Sequence, residues 1–338
     1  GVVAAGGQGK LMLDPERREM TILAAKQILV IASLKENEKN EAMLALVRSP
    51  NQKLRSESHN YIISRLSHSE LRNHYRDELV SLIRDADPEI QRTGLQGIQF
   101  VQAQDAISRM AELTRSGNLG VVSAASMALG QYDTQESVSA LIALTTHQDP
   151  QMRIRACIDI DNSRRPEAKQ ALRELLDDKD PKVRAMGPRG LVYWLRRNEA
   201  DDILPQLVEM LGDVDSEVRA SEADKLGECR KSELVPPLLA ALKKAPQDEN
   251  MNRAILQALY CHYSKGDAKA KEFIDKDIEP IIAALKSGGP SDAFGPSFQA
   301  VGILGLSSRP EAKEALKWAV RSHPNGEIRA YAKRSLPK

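Results

Sequence analysis

One pattern recurs along this chain of 338 residues: Asp or Asn, often Pro, any residue, an aliphatic, and often Arg. It constrains the fold more than any other feature, because self-similarity at a period of about 20–50 residues marks arrays of stacked units. The anchors are Leu54, Ile90, Val121, Met152, Val183, Val218, Met251, Pro296 and Ile328, the eighth being degenerate. Successive gaps are 36, 31, 31, 31, 35, 33, 45 and 32 residues. Three residues before the anchors stand Asn51, Asp87, Asn118, Asp149, Asp180, Asp215, Asp248, Ala293 and Asn325. All but Ala293 offer a side-chain oxygen to an orphan amide at a helix start. Pro88, Pro150 and Pro181 follow, at the first helical position, where the missing N–H costs nothing. Each motif therefore opens a helix. Small or aliphatic residues at +4, +7 and +8, as in Val121, Ala125, Ala128 and Leu129, give that helix one apolar face.

A second apolar helix precedes each motif, as at residues 78–83, 168–176, 203–208 and 234–239. The unit is a helical hairpin too short to bury its own apolar face, so neighbours must stack. Two connecting turns nearly coincide, Ser163-Arg-Arg-Pro-Glu-Ala-Lys-Gln-Ala-Leu172 and Ser307-Ser-Arg-Pro-Glu-Ala-Lys-Glu-Ala-Leu316. Residues 14–34 predict an N-terminal capping helix, opened by Asp14-Pro15, behind a flexible tail at 1–13. The 45-residue gap before Pro296 predicts an irregular, loop-like insertion over about 264–296. There Phe294 is a candidate partner contact, with a hinge as the plainer reading.

These residues resemble the HEAT-repeat family in its bacterial short-repeat form, over about 38–338. The resemblance implies an all-α fold over 14–338. It is a right-handed α-solenoid of about nine stacked helical hairpins with an N-terminal capping helix, its motif helices lining the concave face. It also implies that the recurrent Arg at anchor +1 (Arg55, Arg153, Arg184, Arg219, Arg329) pairs with acidic residues of adjacent turns in a ladder between repeats. The function implied is a non-enzymatic protein-binding scaffold or adaptor. Alternatives are a HEAT-like enzyme or enzyme subunit, for example one attaching bilins, and a nucleic-acid-binding solenoid.

Composition weighs among these. There are 48 Lys plus Arg against 47 Asp plus Glu, and 4% aromatics. A nearly neutral chain with few stacking platforms disfavours nucleic acid. The iron-binding His-Glu pairs of some HEAT-like enzymes are missing, and Trp194 and Trp318 lie some four repeats apart, unlike the aromatic residues of base-acting relatives. His59, His68, His74, His147, His262 and His323 lack zinc-site spacing, so no metal or cofactor is expected. Ala5-Gly-Gly-Gln-Gly-Lys10 misses the phosphate-loop pattern and reads as linker. The longest apolar stretch, 21–34, is too short and interrupted to span a membrane, so no membrane insertion is expected. Three scattered cysteines favour a reducing, cytoplasmic setting; export after signal removal is the alternative. Whether Cys229 and Cys261 pair depends on their separation.

Candidate sites follow from breaks in the pattern. Asp159 takes a +7 core position, Glu222 and Lys225 take +4 and +7, and Gly187 and Gly190 hold the same slots between them, with Pro188 predicting a kink. Asp159, Arg184, Glu222 and Lys225 form either a compensating ionic seam or a polar pocket. On the outward face, Met127, Ile154 and Ile158, flanked by Arg155 and Arg189, make a candidate partner-binding patch.

Overall fold

The computed structural model describes residues 30–66, 69–197, 201–229, 231–244, 248–290 and 295–336. The capping sequence does its expected work. Asn51, Asp87, Asn118, Asp149, Asp180, Asp215, Asp248 and Asn325 each accept a backbone N–H two or three residues ahead, which satisfies part of the open helix start. The ninth position, Ala293, lies outside the described residues. The helix there begins at Pro296 behind Gly295, which offers no side-chain bond.

The described residues are helical or turn, with no strand among them, and the fold class is an all-α solenoid. The chain divides into two units, residues 1–141 and 142–338. In the first, α1 (Glu36–Leu46) pairs with α2 (Gln52–Arg65), α3 (Ser69–Leu82) with α4 (Pro88–Ile98), and α5 (Ile107–Leu113) with α6 (Leu119–Leu129). The motif helices α2, α4 and α6 pack side by side in chain order. Between the two layers the core is closed by Ile62, Leu66, Leu79, Leu82, Leu95, Ile98, Met110 and Leu129, all fully or almost fully buried.

Helix α7 (Gln135–Leu144) crosses the boundary of the units. The second unit continues with α8 (Pro150–Ile160), the pair α9 (Pro166–Glu174) and α10 (Pro181–Arg196), the pair α11 (Leu204–Glu209) and α12 (Ser216–Cys229), and the pair α13 (Val235–Lys244) and α14 (Glu249–Ser264). After these come α15 (Ala268–Lys276), the pair α16 (Glu279–Ser287) and α17 (Pro296–Leu306), and the pair α18 (Pro310–Ser322) and α19 (Gly326–Ser335). Its motif helices α8, α10, α12, α14, α17 and α19 again stack in order. Two glycines set the approach inside one pair: a Cβ at Gly187 would stand 2.8 Å from Leu176, and one at Gly190 would stand 2.6 Å from Leu172. Helix α10 runs unbroken through Pro188.

One expectation is corrected. Much of the stretch read as a loop-like insertion is helix, α15 and α16 together. Asp267 caps α15 by accepting from Lys269 and Ala270, while Ala270 and Ile274, one turn apart, are fully buried. Tyr263 closes the other end by donating its hydroxyl to Asp275 at 3.0 Å. Cap, apolar pair and tyrosine hold enough buried contact to order a charged segment. Phe294, the tail at 1–13 and most of the expected capping helix lie outside the described residues. Of its last positions, Ile31 is buried and Val30 exposed.

Candidate functional site

The recurrent arginines are built into the turns. Nη1 of Arg153 donates to the carbonyls of His147 and Gln148, that of Arg184 to those of Asp178 and Lys179, and that of Arg219 to those of Asp213 and Val214. The opposite edge of each guanidinium reaches the next turn. Arg153 grips Asp178 with two bonds of 2.7 Å, Arg184 grips Asp213 at 2.8 and 2.9 Å, and Arg219 holds Asp248, its Nε at 2.8 Å. Paired donors on planar carboxylates at low exposure are the strong form of ion pair. The Arg184 guanidinium holds the Asp213 carboxyl below the ordinary carboxylate range. These three arginines are spent on the fold, which removes them from any phosphate-tracking role.

The residue two places before seven of these caps was not singled out from the sequence, and it proves to be part of the turn. Asp85, Asp178 and Asp213 accept from the cap's own N–H through carboxylate oxygens, Ser49 and Ser116 through hydroxyls, and His147 and His323 through Nδ1. Aligning the units on their caps exposes this column of acceptors. Two of the histidines are thereby accounted for as turn residues.

Within the second unit, Ile154 and Ile158 are one helical turn apart on α8 and both half-buried, leaving apolar surface facing outward. Arg155, half-buried between them, is bonded in two places to Asp159 of its own helix. Arg189 on α10 is exposed, with Nε 3.5 Å from Asp161. Met127 is half-buried on α6, in the first unit. The patch expected around these residues thus has one member in one unit and four in the other.

The proposed ionic seam does not assemble as one network. Asp159 is bonded to Arg155, Arg184 to Asp213, and Lys225 to Asp224 and Glu228. Glu222 is fully buried, and neither carboxyl oxygen has a hydrogen-bond partner. Desolvation alone pushes its pKa well above the ordinary glutamate value, because burial disfavours the charged form. Sequence spacing placed these four residues on neighbouring helices. It did not show that Asp159, Arg184 and Lys225 each reach another partner, or that Glu222 is sealed away without one.

Cys157, Cys229 and Cys261 are free thiols. Burial pushes the thiols of Cys157 and Cys229 up to about 12, and Cys229 donates to the Lys225 carbonyl at 3.2 Å. Among the described residues no group of His, Cys, Asp or Glu is placed to hold a metal ion, and no helix is long and apolar enough to cross a membrane.

Residues 76–148 and 138–204 match the profile of HEAT repeats. No curated protein matches the sequence. Solved structures share the fold. Kap95p in its study with RanGDP is 12% identical, with a TM-score of 0.61 over 95% of this chain and 51% of that one. The Kap95:Nup1 complex is 11% identical, with a TM-score of 0.63 over 91% and 47%. Kap121p is 12% identical, with a TM-score of 0.56 over 95% and 44%. The chain thus spans about half the length of these relatives, and at such identities the likeness is one of fold.

Proposed function

We propose that this chain, whose residues 76–204 are HEAT repeats, is a non-enzymatic protein-binding scaffold that presents the outward face of its motif helices. The observation that carries the reading is the pairing of Ile154 and Ile158 on α8, half-exposed and one turn apart, beside the exposed Arg189. An apolar strip edged by arginine has the makeup of an interface core and rim. Arg155, pinned by Asp159, supplies a pre-ordered cation there at little entropic cost. Met127, half-exposed on α6, extends the same type of surface in the first unit. The structures sharing this fold include Kap95p in complex with Nup1, which supports protein as the partner class.

The enzyme alternative drew on Asp159, Glu222 and Lys225. Asp159 bonds to Arg155, Lys225 bonds to Asp224 and Glu228, and Glu222 is fully buried, which supports the scaffold reading over that one.

The test is quantitative capture of partners from the native source by the whole chain, comparing wild type with I154S/I158S and with R189E. Both variants are expected to lose the same partner while retaining wild-type helicity. Partner recovery unchanged in both variants would remove this face as the binding surface.

A further inference from the structure

The first unit contains one arginine of the recurrent set whose acid is missing. Arg55 makes the same turn contact as its counterparts, Nη1 donating to the carbonyls of Ser49 at 2.8 Å and Pro50 at 3.1 Å. That clamp fixes the guanidinium plane and turns its Nε/Nη2 edge forward, as in Arg153, Arg184 and Arg219. In those three the edge is filled by an aspartate of the next turn. The corresponding residue here is Asp85, and it is engaged elsewhere. Like Asp178 and Asp213 it accepts from its cap amide, but its other oxygen lies 3.5 Å from Nε of Arg48. Arg55 has no acidic partner among the described residues.

Arg55 lines a cleft of about 330 Å³ between α2 and α4, whose wall also includes Gln52, His59, Glu89, Arg92 and Thr93. Arg92 is bonded to Glu89 at 2.6 Å, which neutralises the one acid in the wall. His59 Nδ1 and Thr93 Oγ1, both in that lining, are 3.2 Å apart. With that acid paired, Arg55 leaves the wall with a surplus positive charge and an unused pair of parallel donors.

We infer that this cleft is a binding site for an acidic side chain of a partner polypeptide, an aspartate or glutamate carboxylate seated on the Nε/Nη2 edge of Arg55. The molecule itself supplies the precedent. The same guanidinium, clamped by the same two carbonyls, takes a carboxylate in two parallel bonds at Arg153 and Arg184. A pre-oriented fork loses little entropy on binding, and its Glu89–Arg92 neighbour pair leaves the carboxylate unopposed. Arg329 repeats the clamp on the His323 and Pro324 carbonyls on the exposed side of α19. The site lies in a different unit from the Ile154 and Ile158 strip and does not rest on it.

The test uses the whole chain and a fluorescent peptide rich in glutamate, with a glutamine-for-glutamate peptide as control. Anisotropy titration is expected to show binding of the acidic peptide only, weakened at least about tenfold by R55Q and unchanged by K269A at an exposed surface pair. Hydrogen exchange on the wild type should show peptide-dependent protection at residues 52–60 and 88–93. If R55Q unfolds, R92Q tests the same wall with the clamp intact, and the expected result is again weaker binding. Equal affinity for both peptides, protection elsewhere, or binding of inorganic phosphate in place of the peptide would each overturn the assignment.

Discussion

Glu222 shows how far one side chain can depart from its repeat and still be tolerated. Its +4 slot holds Ala125, Ala156 and Ala332 in other units, each buried without a polar atom to satisfy. A sealed carboxyl with no hydrogen-bond partner costs free energy in either protonation state, and more when charged. The sign of the pH effect follows. Between the ordinary glutamate value of 4.5 and the raised value in the folded chain, the native state binds more protons than the unfolded state. Stability therefore falls as pH rises through that window and stays lowered above it. Replacing Glu222 with Met, of similar volume and no charge, should raise stability by about 1–3 kcal/mol at neutral pH. The gain should shrink near pH ~4. Urea midpoints for wild type and E222M at several pH values check this, and a pH-independent difference would mean that Glu222 titrates in the folded chain as it does in the unfolded one.

At the scale of elements, the hairpin is legible because each boundary has a chemical marker. Asp or Asn caps eight of the motif helices, proline opens α4, α8, α10 and α17, and alanine or glycine permits close approach. Eight expected caps bond as anticipated. Helix α15 was obscured because its sequence is crowded with charge, yet Asp267 and the Ala270/Ile274 spacing carried the signal. Pairing among Asp159, Arg184, Glu222 and Lys225 was not legible, since helical position fixes a face and leaves the reach of long side chains open. The Arg–Asp rungs give a second prediction. Arg184→Gln strands Asp213, whose side chain is 11% exposed, and should cost about 2–3 kcal/mol. The exposed Lys269–Glu233 pair should tolerate Lys269→Ala without measurable loss. Chemical denaturation of both variants separates the cases, and equal effects would contradict the distinction between built-in rungs and surface pairs.

For the whole molecule, stacked hairpins imply that each module answers mainly to its neighbours, so that stability is distributed along the chain. In R184Q, amide exchange should accelerate across α9 to α12 while residues 69–129 keep wild-type protection. Acceleration spread evenly over both stretches would indicate one all-or-none folding body.

The three rungs of the second unit run along the edge where each hairpin turns, and the pairs at the far ends of its helices, such as Lys169 with Asp202, stand more open to water. Such a construction behaves like a book, bound at the spine and loose at the fore-edge. Concentrated electrolyte should fan the pages without breaking the binding, because mobile ions weaken wet pairs before dry ones. Bending would thus have a preferred direction, written into where the aspartates stand.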